Sequence, residues 1–316
     1  MADLMANNKQ TAYLITQALQ RAGGLALIYT VLIFLLPASH AALRTYHLSA
    51  LGYRTILFAV ALPLMIAWTA AFIGYARLRQ YVYSVRETPE GVYFDKLATG
   101  CSWLAWSLPV PVIFSLLLNS IANQWPGFYP TSIVIGNYLN LVLPLVAFSV
   151  IGIASRGLVN QAKLKFSTAS IRVIMMLFLA AGVLYCYLTF RHFDLSSLGS
   201  THNPYFLPIW LMVISVIIPY LYAWFIGLLA AYEITLFGQQ TDGVLYRQAL
   251  RILVLGLIVI IASSIALQYT GGIRPRIGHL VFDYQLVWAS IFRLLGGGGF
   301  ILLAIGASRL KKIEEV

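Results

Sequence analysis

Apolar stretches of 18 or more residues recur along the whole chain, and no other feature limits its fold so strongly. A helix needs about 20 residues to cross the hydrocarbon core of a bilayer. A water-soluble fold has no use for so many such runs. Composition agrees, with 60% of the 316 residues hydrophobic and only 10% charged, against about 25% charged in soluble domains. The runs predict an all-α integral membrane protein with eight transmembrane helices near 24–42, 52–77, 100–122, 131–155, 171–191, 207–236, 250–270 and 285–308. Barrel strands would be about 10 residues long and alternating, which these runs are not. The first run starts at Gly24 behind a polar segment, with no small-residue cleavage site, so it reads as a retained span. Residues 9–21 carry apolar side chains at 12, 15 and 19, which predicts a short amphipathic helix on the inner surface.

Charge sets the expected orientation. With the N-terminus inside, the inner segments hold 15 Lys and Arg residues and the outer segments 5. This positive-inside bias puts both termini in the cytoplasm, and the plasma membrane is the expected location. The formal net charge of +11 therefore serves topology, because the cations sit in short loops between apolar runs. Nucleic acid is not an expected partner. Aromatic residues gather at the outer edges, as Trp125, Phe128 and Tyr129 do. Cys101 and Cys186 sit at unsuitable depths for a disulfide, and two cysteines cannot build a structural zinc site.

Sliding the chain against itself by 152–153 residues aligns all four span pairs. Phe72, Ile73 and Gly74 fall on Phe225, Ile226 and Gly227. Ala154, Ser155 and Arg156 fall on Ala307, Ser308 and Arg309. The hairpin residues Glu90, Gly91 and Val92 fall on Asp242, Gly243 and Val244. We expect a tandem duplication of a four-helix unit, residues 1–156 and 157–316, with no soluble domain. Each unit has an even number of spans, so the halves insert the same way up, about a pseudo-twofold along the membrane normal.

The inventory for chemistry is poor. No helix carries a His-Glu-x-x-His pattern, and there is no nucleophile elbow and no phosphate-cradling glycine loop. We expect no catalytic residues, no metal and no cofactor, hence no enzyme. Glu233 is the acidic residue closest to mid-span, and it is expected to snorkel to the inner interface. All five histidines, His40, His47, His192, His202 and His279, fall in or beside outer loops, where they read as tolerated interfacial residues more readily than as metal or pH sites. Arg293 is the deepest charge and should face protein or water. Its repeat counterpart is Asn140, and Ser290 falls on Asn137, each pair spaced i, i+3 on one helix face. These four residues form a candidate polar site, either interhelical polar glue or an anchor for a ligand or lipid headgroup. Gly296 to Gly299 read as a packing seam or a flexible break, and kinks are expected at Pro109, Pro111, Pro144 and Pro219. The hairpins around Glu90, Gly91, Val92, Asp242, Gly243 and Val244 are candidate docking elbows for a cytoplasmic protein, or simply good turns.

The leading expectation is a non-enzymatic membrane protein that binds or transports a small molecule or lipid between its halves. A sensor module is a second reading, because the last span runs into Arg309, Lys311, Lys312, Glu314 and Glu315 as a signalling helix would. A structural subunit of a larger complex is a third.

Overall fold

The computed structural model describes residues 2–36, 50–125, 129–164, 171–173, 175–176, 178–180, 182–183, 218–241, 243–272 and 281–314, with side chains for most of them. The five histidines, Cys186, Asp242 and the Asn137 side chain lie outside the described residues, as does much of the fifth and part of the sixth expected span. Every regular element among the described residues is helical. In chain order these are α1 Ala2–Leu35, α2 Ala50–Ser84, α3 Gly91–Trp106, α4 Pro109–Gln124, α5 Tyr129–Gln161, α6 Ile218–Gln240, α7 Val244–Gly272 and α8 Val281–Glu314. The described residues between 171 and 183 are also helical. Among the described residues, seven segments are long and apolar enough to cross a membrane, α3 and α4 together making one of them.

Several boundaries differ from the sequence expectation. The amphipathic segment 9–21 and the first span form one continuous helix, α1, because Gly23 and Gly24 do not interrupt it. The third span begins nine residues earlier than expected and breaks into α3 and α4. Pro109 and Pro111 cause the break, since neither has an N–H to donate back along the helix. The Ser107 N–H and hydroxyl close the end of α3 on the carbonyls of Trp103 (2.9 Å) and Leu104 (2.7 Å). Pro144 is accommodated inside α5.

Helix α8 packs along α7 and α2, while α5 packs on α3, α4 and α6. Helix α6 also meets α7, and α1 lies on α2. Glycines set the closest approaches. A Cβ on Gly299 would sit 2.8 Å from the Gly256 carbonyl oxygen on α7, and one on Gly297 would sit 2.9 Å from the Ala67 Cα on α2. The Gly296 to Gly299 run is thus a two-sided packing seam within an unbroken helix. The core between helices holds Trp68, Phe72, Phe94, Phe148, Trp224 and Phe300, all at most 2% exposed. The outer surface is apolar as well, with Leu27, Leu62, Ile66, Ile153, Leu179 and Ile301 exposed.

Candidate functional site

The polar patches expected around Arg293 and Asn140 are not brought together. Ser290 is buried on α8 and its hydroxyl has no hydrogen-bond partner, while Arg293 on the same face is partly buried near Tyr29 of α1. Asn140 is exposed on α5 and donates its amide to the Gly136 carbonyl of its own helix, at 2.9 Å. Helices α5 and α8 are not a packed pair, and no hydrogen bond joins Asn140 to Arg293.

Other polar residues do converge. Glu233 does not snorkel to an interface: its side chain turns into the α5–α6 contact and the residue is 1% exposed. It lies on the buried stripe of α6 with Gly227, Ala230, Ile234 and Phe237, so packing α6 against α5 carries it inward. Burying a carboxylate is costly unless partners replace its water. Ser155, fully buried on α5, donates its hydroxyl to Glu233 Oε2 at 2.5 Å. Arg156 Nη1 stands 3.3 Å from Glu233 Oε1, with its own side chain 47% exposed at the mouth of the crevice. Consecutive residues on α5 thus supply one inward hydroxyl and one outward guanidinium. The crevice holds about 480 Å³ and also reaches Tyr93, Lys96, Ile153, Asn160 and Ile226.

A larger cleft, of about 710 Å³, opens between α2 and α8. Helix α2 contributes Leu62, Ile66, Thr69, Ile73 and Arg77, spaced by three and four residues so that they share one face. Helix α8 contributes Ile301, Ala304, Ile305, Ser308, Arg309 and Lys312, again on one face. The cleft is therefore an apolar trough whose one end carries Arg77, Arg309 and Lys312. Arg77 Nη1 donates to Gln80 Oε1 at 3.2 Å. No acidic residue lines this cleft among the described residues.

The 85–90 hairpin and the second hairpin, through Thr241 and Gly243, meet at that same end of the bundle around a third cleft of about 550 Å³. Thr88 and Glu90 line it from one hairpin, Thr241, Gly243, Val244 and Leu245 from the other. The Tyr81 and Tyr246 hydroxyls, 3.2 Å apart, bridge the two sides. Gly91, the first residue of α3, is indispensable to its turn, since a Cβ would lie 2.1 Å from the Val85 carbonyl oxygen. Gly243 takes φ +121°, a conformation L side chains rarely adopt. The turn reading of these glycines is thus sound in its own right. Val92, Val244 and Leu245 nonetheless remain exposed on the hairpin surface.

Cys101 is a free, buried thiol packed in the core. Among the described residues no three His, Cys, Asp or Glu side chains gather in a metal-binding group. Compared with known proteins, the chain matches no family, no curated protein and no solved structure.

Proposed function

We propose that this chain is a multi-pass membrane protein, non-enzymatic, that binds a lipid or other small amphiphile in the α2–α8 cleft, between its two halves. The observation that carries the reading is the cleft's construction: an open apolar trough that ends in three cations with no acid among its described lining residues. The membrane setting is supported by the bundle's apolar exterior, since soluble proteins seldom expose such continuous apolar surface. The hairpin end gathers Arg77, Arg79, Arg86, Lys96, Arg156, Lys163, Arg247, Arg309 and Lys312, and by the positive-inside bias it faces the cytoplasm of a plasma membrane.

The tandem 4+4 organisation, 1–156 and 157–316, is supported by how helices pair. Exchanging α2 for α6, α3 for α7 and α5 for α8 converts the α2–α8 contact into α6–α5. The same exchange converts α3–α5 into α7–α8 and α2–α3 into α6–α7, all of them packed pairs. Side-chain detail follows the same exchange. A Cβ on Gly74 would meet Phe300, and one on Gly227 would meet Phe148, the two phenylalanines being 152 residues apart. On this reading the α2–α8 cleft and the α5–α6 crevice are equivalent places, each between one helix of either half.

Filling the trough tests the function. Ala304→Trp places an indole against Ile66 and Ile305, and the purified variant should lose a co-purifying or added fluorescent lipid while keeping its size-exclusion profile. Undiminished lipid binding by that variant removes the site from this cleft. A second reading, docking of a cytoplasmic protein, is favoured by exposed Val244 and Leu245 at the shared hairpin cleft.

A further inference from the structure

We infer that the occupant of the α2–α8 cleft is an anionic phospholipid, its phosphate held by Arg77, Arg309 and Lys312, and that Glu233 takes the phosphate's place in the equivalent crevice. The chain then holds one such lipid, not two. This rests on the reading of the cleft proposed above and adds the chemical class and the number of its ligand.

Three residue pairs share one separation of 153: Gln80 with Glu233, Ser155 with Ser308, and Arg156 with Arg309. In the α5–α6 crevice these positions are joined, because the Glu233 carboxylate accepts from Ser155 at 2.5 Å and pairs with Arg156 at 3.3 Å. In the α2–α8 cleft the serine and the arginine recur as Ser308 and Arg309, and both line it. The carboxylate does not recur. Its counterpart is the neutral Gln80, buried at 5% exposure and accepting from Arg77. Arg77 itself replaces what is Ala230 in the other half, so this cleft has lost an anion and gained a cation. A phosphate at this apolar margin supplies the negative charge that the neutral Gln80 does not. Guanidinium groups match the planar, bidentate acceptors of a phosphate.

The walls choose a lipid over free phosphate. Leu62 to Arg77 spans about 22 Å along α2, more than the roughly 15 Å hydrocarbon depth of one leaflet. Ile66, Ile73, Ile301 and Ile305 can therefore cover an acyl chain while the head stays at the cationic end. The trough also opens sideways, as the exposure of Ile66 and Ile301 demands, so a lipid can enter from its own leaflet.

Native mass spectrometry of the full chain, released from vesicles of phosphatidylcholine with or without phosphatidylglycerol, counts the bound lipid. The wild type should retain one phosphatidylglycerol in preference to phosphatidylcholine, and Arg309→Ala should weaken that retention about tenfold. Gln80→Glu should supply the missing internal anion and abolish retention. Glu233→Gln should admit a second lipid. Should Glu233→Gln fail to fold, Gln80→Glu alone decides. Equal retention of both lipids by the wild type, with Ala304→Trp still releasing them, overturns the anionic assignment but leaves the cleft standing. Retention unchanged by Ala304→Trp sinks the cleft itself. Unchanged retention in Gln80→Glu, or inorganic phosphate alone displacing the lipid in full, overturns the inference.

Discussion

Glu233 shows how much one side chain's direction matters. Its place in the sequence, seven residues before the end of α6 at Gln240, makes an interfacial carboxylate the natural expectation, because long polar side chains reach water from that depth. What the sequence does not carry is which helix covers that face. Once α5 covers it, the carboxylate must find partners inside: Ser155 bonds Oε2, while Oε1 makes no hydrogen bond and has only the Arg156 guanidinium nearby. Glu233→Ala removes the acceptor of that charge-assisted bond and should lower stability by about 1–3 kcal/mol, read by thermal unfolding in one detergent. The Arg156 pair adds little to this figure, since the guanidinium is half exposed and screened. A Glu233→Ala variant as stable as the parent would mean that the bond to Ser155 adds no net stability.

Among elements, α8 makes the most extensive packing, along α2 and α7. Its four glycines differ in what surrounds them, which makes a paired test possible. A Cβ on Gly299 meets Ile260 at 2.7 Å and the Gly256 carbonyl at 2.8 Å, whereas one on Gly298 meets nothing within 4 Å. Gly299→Ala should therefore destabilise by about 1–3 kcal/mol through overpacking. Gly298→Ala should be neutral or stabilising by up to about 1 kcal/mol, the helix-propensity gain. Thermal midpoints measured side by side check this, and equal effects at both positions would contradict the seam. The sequence offered the choice between seam and break but not the answer, because composition cannot say which glycine faces a neighbour. The α3–α4 break was legible from Pro109 and Pro111, whereas Pro144 left α5 in one piece. That long apolar helices exist was legible from apolar length, and seven of the expected eight are found among the described residues. Helix ends were not legible, because α2, α5 and α8 continue past the expected span ends at 77, 155 and 308 through more polar turns to Ser84, Gln161 and Glu314.

Across the whole molecule, the described helices form an apolar bundle with two hairpins at one end, and the proposed helix correspondence would exchange its two clefts. The sequence comparison at 152–153 residues already contained the relevant residues, since Ser155, Arg156, Ser308 and Arg309 carried part of its register. Depth in the span drew attention to Arg293 and Asn140 instead, because a mid-span charge is the costliest. On the proposed reading the site depends instead on which helices pair, which periodicity does not report. The membrane reading proposed above requires that both halves insert the same way up, with the hairpin end in the cytoplasm. Single cysteines at positions 86, 247 and 125, in a background lacking Cys101 and Cys186, measure this directly in intact cells with a membrane-impermeant maleimide. We predict labelling at 125 only, with 86 and 247 reacting after permeabilisation. Labelling at 86 or at 247 in intact cells would contradict the claim, and labelling at one of the two but not the other would mean that the halves are inverted.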